Sequence, residues 1–289
     1  MEIANKELQS GFKMPEFGLG TWHMGGALST DTTNDEGDKE GIRNALNSGI
    51  SLIDTAELYG LGHAEELVGE VISELDRSKL FIVSKVYIDN LAYEDVLKAC
   101  ERSLNRLGTG YLDAYLVHIP NPNIPIAETM RALDKLKEEE KIRAIGVSNF
   151  TIEQMEEAQA STKNKIEINQ IHFNLAYQKW QDVVDYCQAN DIMVMCYRPV
   201  ERGVMTKNGI PILDEMSKKY DKTPAQIAIN WLISQKNMVA VCKTSSKEHL
   251  GENLGALGWR MNEEDLGRLG KEFPEVEIPG SSLPFKVQR

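Results

Sequence analysis

The chain has 289 residues, of which 42% are hydrophobic and 26% are charged, and its formal net charge is −12 at pH 7. These proportions are typical of a globular protein with a large core, and the length fits one α/β barrel domain over residues 1–289. An acidic surface repels phosphate backbones, so we expect no nucleic-acid partner.

Cysteine spacing and hydropathy indicate the cellular setting. The cysteines are widely spaced and form no Cys-x-x-Cys pair: Cys100, Cys187, Cys196 and Cys242. Such spacing fits neither a zinc site nor a disulfide framework. The sequence shows no signal peptide and no apolar run of about 18 residues that could cross a membrane. We therefore expect a metal-free protein of the reducing cytoplasm that does not enter membranes.

Strand-like runs begin near the amino terminus. The segment Met1–Phe12 predicts a small hairpin with Ser10-Gly11 in its turn, which would cap the bottom of a barrel. The polar stretch Ala27–Asp38 predicts a long first loop after a strand. Eight apolar runs predict strands: Glu16–Trp22, Leu52–Thr55, Leu80–Lys85, Leu112–His118, Ala144–Ser148, Glu167–His172, Met193–Tyr197 and Val239–Lys243.

Amphipathic stretches lie between these runs. Helices are predicted, among others, over Tyr93–Leu107, Ile126–Lys141, Ile152–Ser161 and Trp180–Asn190. The first of them has one apolar face, formed by Val96, Ala99, Cys100, Ser103, Leu104 and Leu107. Strand–helix alternation implies parallel crossovers, and eight such units favour a closed (β/α)8 TIM barrel over an open sheet.

Four polar side chains follow successive strand-like runs: Asp54, Tyr59, Lys85 and His118. Taken singly, they could be a helix cap, a surface aromatic, a solvated lysine and a structural histidine. The carboxyl ends of barrel strands converge on one face, so we expect these groups to meet there. An ammonium beside a phenol favours the phenolate, so Lys85, held charged by Asp54, should lower the pKa of Tyr59 from about 10.

This arrangement predicts proton transfer by Tyr59, as general acid in a reduction and as general base in an oxidation. Neutral His118 could orient a carbonyl oxygen or shuttle a proton. None of these groups is redox-active, so a hydride would have to come from a cofactor.

The sequence resembles an aldo-keto reductase over nearly its whole length. The segments that carry the resemblance are Gly18–Trp22, Asp54–Gly60, Ile145–Phe150, Asn169-Gln170 and Glu252–Leu254. The resemblance implies a (β/α)8 barrel, NADPH-dependent carbonyl reduction and a catalytic tetrad of Asp54, Tyr59, Lys85 and His118. No metal is implied.

The resemblance also implies residues that bind the cofactor. Ser148, Asn149 and Gln170 match a clamp on the nicotinamide carboxamide, although Ser148-Asn149 could instead cap a helix. Tyr197 matches the aromatic that stacks on the nicotinamide ring, with plain core packing as the alternative. The remaining members of this predicted set are Gly20, Thr21, Trp22, Asp54, Arg198, Lys243, Thr244, Ser245, His249, Glu252 and Asn253. The last six lie around a helix start, which suits the adenosine phosphate of NADP or could be a simple capping segment.

Some residues depart from the family pattern. His249 stands where many relatives have arginine, so NADH use remains open beside NADPH. Arg198 replaces a common serine, and either reaches the pyrophosphate or faces solvent. Ile119 replaces a common tryptophan in the predicted substrate pocket, which otherwise includes Trp22, Tyr59 and His118. His23 could line the mouth of the pocket or be exposed.

The short loop after His118 and the short tail after Phe273 predict an open pocket that accepts many aldehydes. We therefore expect the substrate to be a small carbonyl compound, namely an aldehyde, with ketones and sugars as further options. We expect the chain to be a monomer or a weak homo-oligomer. Two alternatives remain: a dehydrogenase running in reverse, and a cofactor-binding regulatory subunit on the same barrel. An unrelated barrel for phosphorylated substrates would not account for Ser148-Asn149 together with Gln170.

Overall fold

The computed structural model describes residues 3–276. Strands in this part of the chain are β1 (Asn5–Glu7), β2 (Lys13–Pro15), β3 (Phe17–Gly20), β4 (Leu52–Asp54), β5 (Phe81–Val86), β6 (Leu112–Val117), β7 (Ile142–Ser148), β8 (Ile166–His172), β9 (Met193–Tyr197) and β10 (Met238–Cys242). The predicted tail after Phe273 falls largely outside the described residues, and the assignment of one domain to residues 1–289 stays a prediction.

The α-helices alternate with the strands from β3 onward. Their bounds are α1 (Asp35–Asn47), α2 (His63–Ile72), α3 (Tyr93–Leu107), α4 (Ile126–Glu138), α5 (Ile152–Ala160), α6 (Gln181–Ala189), α7 (Pro211–Tyr220), α8 (Pro224–Ile233), α9 (Lys247–Leu254) and α10 (Glu263–Glu272). Short 3-10 turns cover Tyr59–Gly62, Arg77–Lys79, Ile88–Asn90 and Glu201–Thr206.

Strands β3 to β10 form a closed barrel of parallel strands, in which β10 pairs with β3. The prediction of a (β/α)8 barrel is therefore confirmed. The predicted strands differ from the observed ones by at most two residues at an end, because strand ends are defined by hydrogen bonds rather than by the apolar pattern.

Alternate strand positions point to opposite faces, and this alternation builds two layers of core. A cluster that includes Leu52, Val83, Leu116, Ile168 and Met195 comes from the inward positions. A larger cluster lies between the strands and the helices. Helix α3 has the predicted bounds, and its six predicted apolar-face residues are all buried. The inward positions therefore continue, at the carboxyl ends of the strands, into the functional site.

The amino-terminal hairpin is present, but its position differs from the prediction. Strand β2 lies beyond Phe12, since the turn closes with Leu8 N–H donating to Phe12 O at 2.9 Å. Gly11 has a φ of 86° there, which a residue without a Cβ adopts readily. Leu8 and Met14 join the inner barrel cluster. The hairpin therefore closes the barrel at the end away from the site.

The first loop is also shorter than predicted, because α1 begins at Asp35 rather than after Asp38. Three acidic residues in its first turn interact favourably with the positive end of the helix dipole. Asp38 in addition accepts a hydrogen bond from Gly25 N–H at 2.9 Å, which ties the loop to the helix.

Candidate active site

The inward face of neighbouring strands brings three of the four predicted catalytic residues together. Asp54 lies two positions after Leu52, and Lys85 lies two positions after Val83, so both continue the inward rows of apolar side chains. His118 follows Leu116 in the same way at the end of β6. The period of two along a strand thus aims all three side chains at the top of the barrel.

Tyr59 reaches the same place from the turn after β4. The turn Tyr59–Gly62 has left-handed backbone at Gly60 and Leu61, with φ values of 57° and 56°. At Gly60 the space is closed as well, because a Cβ there would lie 2.3 Å from the carbonyl oxygen of Gly25. This turn packs Tyr59 against Trp22, with ring centroids 4.9 Å apart.

The ammonium of Lys85 is the centre of the cluster. Its Nζ lies 2.7 Å from Asp54 Oδ1 and donates to Tyr59 OH at 3.1 Å and to the carbonyl of Thr55 at 2.8 Å. The Lys85 side chain is fully buried. A buried ammonium with three oxygen partners is well compensated. His118 completes the cluster, with its ring centroid 5.7 Å from that of Tyr59.

The electrostatics of these groups differ from the simplest prediction. Burial and the Asp54 carboxylate raise the pKa of Tyr59, while Lys85 lowers it, and the pKa ends above its ordinary 10.0. Lys85 thus lowers the pKa of Tyr59 as predicted, but burial outweighs it, and the expected net fall of the pKa was wrong. Burial would lower the pKa of Lys85, but Asp54 and Tyr59 raise it, so the ammonium stays charged. Burial and the Lys85 charge hold the pKa of His118 well below 6.5, so this imidazole is neutral.

A cavity of about 330 Å³ opens over this cluster. Its wall contains ten of the predicted cofactor residues, namely Gly20, Trp22, Asp54, Ser148, Asn149, Gln170, Tyr197, Arg198, Lys243 and Asn253. Tyr59 and His118 line the same space. The volume falls at the lower end of the range for small-molecule sites.

One end of the cavity is built from amides and hydroxyls. Asn149 Nδ2 donates to His118 O at 3.2 Å and to Ser148 Oγ at 2.9 Å, and Tyr197 OH donates to Asn149 Oδ1 at 3.0 Å. Gln170 Nε2 donates to Asp54 Oδ1 at 2.9 Å. The hydrogen bonds of Ser148 and Asn149 do not cap α5, because Thr151 and Gln154 form its capping box.

The cavity also carries positive charge, although the chain as a whole is acidic. Arg198, Arg202 and Lys243 line it, and together with burial these three cations lower the pKa of His23 on the same wall. Arg198 Nη1 is buried and has no hydrogen-bond partner within residues 3–276. Its ion pair with Glu201 Oε1 is long, at 4.0 Å, so this guanidinium nitrogen keeps a donor that suits an anionic ligand.

Comparison with known proteins decides the family. The model of the family described as "Aldo/keto reductase family" matches residues 16–271. The chain belongs to the aldo/keto reductase family. It is 34% identical to the methylglyoxal reductase YeaE of Escherichia coli strain K12 over 90% of this chain and 92% of that protein. It is 33% identical to the glyoxal reductase of Bacillus subtilis strain 168 over 91% and 90% of the two chains.

Solved structures of this family superpose over most of the barrel. A thermostable aldo-keto reductase in complex with the inhibitor epalrestat gives a TM-score of 0.89 at 38% identity, covering 93% of this chain and 99% of the other. The aldo-keto reductase of Klebsiella pneumoniae in complex with NADP and acetate gives 0.83 at 33% identity, covering 96% and 97%. These relationships confirm the prediction of an NAD(P)H-dependent oxidoreductase of the aldo-keto reductase type.

Several predicted site residues do not line the cavity. Thr21 is buried, and its Oγ1 donates to the backbone oxygen of Asp54 at 3.1 Å, so it supports the site from behind. Ile119, predicted in the substrate pocket, is buried outside the cavity wall. The residues around α9 that lie outside the wall are Thr244, Ser245, His249 and Glu252, and Ser246 Oγ caps that helix by accepting from His249 N–H at 3.3 Å.

The cavity wall also includes residues that the sequence did not single out. They are Leu58, Pro199, Val200, Arg202, Val241 and Cys242. Arg202 could have been found as a second arginine close behind Arg198, in a polar loop after a strand end. His23, for which two positions were open, lines the cavity.

Membrane-spanning helices and metal-binding clusters are both absent from residues 3–276. No helix among them is long and apolar enough to cross a membrane. No group of three or more His, Cys, Asp or Glu side chains in this range is arranged to hold a metal ion. The predicted cytoplasmic location stays a prediction.

Proposed function

We propose that this protein reduces aldehydes with NADPH, and that Tyr59 gives the proton to the carbonyl oxygen. The observation that carries the proposal is the Lys85 ammonium, whose Nζ contacts both Asp54 Oδ1 at 2.7 Å and Tyr59 OH at 3.1 Å at the wall of the cavity. An ammonium at this distance stabilises negative charge on the phenol oxygen as its proton leaves.

The proton arrangement of the resting site suits reduction. Tyr59, whose pKa is raised above 10.0, carries its proton at neutral pH and is ready to donate it. Asp54 keeps Lys85 charged, so the ammonium is in place when charge develops on the phenol oxygen. His118, neutral because its pKa is lowered, is placed to orient the carbonyl oxygen without competing as an acid. The reverse oxidation would use the same groups, with Tyr59 first deprotonated.

The residues of the cavity fit a nicotinamide cofactor, which when bound supplies the hydride. Ser148, Asn149 and Gln170 offer the mixed donors and acceptors that a carboxamide needs. Tyr197 offers a ring face for stacking, and Arg198, with a buried nitrogen that has no hydrogen-bond partner within residues 3–276, offers a phosphate contact. Aldo-keto reductase structures similar to this chain contain NADP or NADPH.

We infer NADPH rather than NADH as the preferred cofactor, with NADH as the weaker alternative. The cavity carries three cations, and the segment from Lys243 to Ser246 leads into the amino-terminal end of α9, where backbone N–H groups attract anions. His249 on this helix is exposed and offers a single donor, so the preference should be moderate rather than strict.

The substrate that we propose is a small aldehyde, including 2-oxoaldehydes of the methylglyoxal and glyoxal type. Trp22, Leu58 and His118 line the cavity around Tyr59, and a bound cofactor would leave only part of its volume of about 330 Å³ to the substrate. The curated relatives named as methylglyoxal and glyoxal reductases support this substrate class. Ketones and sugars are further candidates, which the same assay can rank.

The test compares the wild-type protein with Tyr59→Phe and, as a control, Tyr186→Phe on the outer helix α6. NADPH and NADH consumption is followed separately with methylglyoxal, glyoxal, larger aldehydes, ketones and sugars, and NADPH binding is measured by quenching of tryptophan fluorescence. We expect Tyr59→Phe to lose about 10²- to 10⁴-fold in kcat, the usual value of a general acid, while still binding NADPH. Tyr186→Phe should behave as wild type.

Three other outcomes of this test would contradict parts of the proposal. Normal turnover by Tyr59→Phe would rule out Tyr59 as the proton donor. NADPH binding by the wild type without turnover of any compound would favour the dehydrogenase or the regulatory-subunit alternative. Fast turnover of small aldehydes with poor turnover of bulky ones would argue against a broadly open pocket.

A further inference from the structure

A stack of three aromatic rings begins at the cavity wall. The ring of His172 stacks on Tyr197 with centroids 5.3 Å apart and an interplanar angle of 16°. Its other face stacks on Tyr177 at 4.1 Å and 10°. Tyr197 lines the cavity, whereas the other two rings do not. The orientation of the Tyr197 ring therefore depends on the imidazole behind it.

The same histidine is bonded to the turn after β9. His172 Nε2 lies 2.5 Å from Glu201 Oε2, and Asn174 Nδ2 donates to the same oxygen at 2.8 Å. Asn174 Nδ2 also donates to Arg198 O at 2.8 Å. The Glu201 side chain is fully buried, so water does not solvate its charge. His172 and Asn174 compensate that charge at Oε2.

The turn held in this way has a strained backbone. Arg198, Glu201 and Arg202 have φ values of 57°, 38° and 51°, all in the left-handed region that side chains with a Cβ rarely adopt. Such conformations persist only where the surroundings impose them. The two arginines of this turn line the cavity. The bond between His172 and Glu201 is thus an anchor for a strained turn that carries two cavity cations.

We propose that His172 is a positioning residue for the bound nicotinamide cofactor, and this inference rests on the proposed function. Its ring face holds Tyr197 flat against the cavity, and its Nε2 bond to Glu201 holds Arg198 and Arg202 in place. An imidazole is suited to both tasks, because it combines a planar ring with a hydrogen-bonding nitrogen at its edge. His172 itself does not contact the reacting atoms.

Two substitutions separate the two tasks. His172→Phe keeps a stacking ring and loses the bond to Glu201, whereas His172→Gln keeps a donor and loses the stack. His172→Phe no longer holds the turn that carries Arg198 and Arg202. It should therefore weaken NADPH binding about tenfold, the effect of losing one buried hydrogen bond to a charged group. His172→Gln should bind NADPH within about threefold of wild type and lose about tenfold in kcat, since the ring that positions the nicotinamide is no longer fixed.

Controls separate this role from a general loss of stability. Glu201→Gln keeps the shape of the side chain and removes its charge, so it should weaken NADPH binding in the same direction as His172→Phe, and it serves if either His172 variant fails to fold. Trp231→Phe changes a core side chain of α8 whose Nε1 donates to Leu266 O at 3.1 Å, away from the cavity wall. It should lower the urea midpoint and leave the NADPH Kd unchanged.

The Kd for NADPH, measured by fluorescence quenching, is the main readout, with kcat and KM measured in parallel. Wild-type NADPH affinity in all of the folded His172 and Glu201 variants would overturn the positioning role while leaving the proposed function intact. Equal weakening by Trp231→Phe would also overturn it. If the wild type itself fails to bind NADPH, both the proposed function and this inference are wrong.

Discussion

Replacing Lys85 by methionine tests the centre of the site, because it removes the ammonium and keeps an unbranched side chain. With an effective dielectric constant of about 20, two unit charges separated by the 3.1 Å between Lys85 Nζ and Tyr59 OH interact by about 5 kcal/mol. Tyr59 is uncharged in the resting state, so only part of this is realised. Opposite charges at such distances typically shift a pKa by about 1–3 units. We therefore expect a further rise in the pKa of Tyr59 and a fall in kcat of about 10- to 1,000-fold.

The same substitution should affect stability by a different route. Asp54 would remain as a buried carboxylate, with Gln170 Nε2 at 2.9 Å but without its cation. Removing one partner of a buried ion pair typically costs about 3–5 kcal/mol of unfolding free energy. The double variant Asp54→Asn/Lys85→Met removes the unpaired charge as well. It should therefore recover most of the stability and none of the activity.

Urea unfolding followed by tryptophan fluorescence gives the stability of each variant, and NADPH consumption with methylglyoxal gives kcat. Lys141→Met is the matched control, because Lys141 forms only partly exposed pairs with Glu101 and Glu139. It should change the unfolding free energy by no more than about 1 kcal/mol. A kcat of Lys85→Met within about threefold of wild type, or activity regained by the double variant, would contradict this role of the Lys85 ammonium.

Two other side chains give separate predictions. The two ring nitrogens of His63 contact carboxylates, Nε2 at 2.9 Å from Asp35 Oδ1 and Nδ1 at 2.7 Å from Glu66 Oε2. Burial lowers the pKa of His63, but the two carboxylates raise it by more, so the pKa lies above 6.5. The stabilising effect of protonated His63 is therefore complete below about pH 6.5 and is lost as the pH rises through the raised pKa. The difference in melting temperature between wild type and His63→Asn should thus be larger at about pH 6 than at about pH 9. A difference that grows as the pH rises would contradict this prediction. His249→Arg should raise the ratio of kcat/KM for NADPH to that for NADH by about tenfold, since a bidentate guanidinium replaces a single donor, and an unchanged ratio would show that residue 249 does not contact the 2′-phosphate.

The barrel and the cluster of four polar residues could be predicted from local pattern. Strand β9 was predicted with its observed bounds, because an unbroken apolar run between polar segments is typical of a strand buried on both faces. Asp54 and Lys85 follow inward apolar residues at a spacing of two, so their convergence follows from strand alternation along each segment. The family motifs then indicated roles for these positions, and the family membership is confirmed.

Other features could not be predicted in this way. The left-handed backbone at Arg198, Glu201 and Arg202, in the loop from which Arg202 lines the cavity, is not visible in the sequence. Ile119 was expected in the pocket because many relatives of the family have a tryptophan at this position, yet it is buried outside the cavity wall. The second strand of the hairpin lies beyond Phe12, since its pairing partner rather than its composition decides where it begins.

The sequence by itself thus determined which residues form strands and which polar groups stand at their ends, because both depend on neighbours a few positions away. Only the tertiary structure decided that the pKa of Tyr59 is raised, since burial and the Asp54 charge there outweigh the Lys85 charge at distances that no pattern contains. It also decided the contact of His172 with Glu201, 29 residues further along the chain. Electrostatic and stacking energies depend on separations in space, and these exist only once distant segments have packed together.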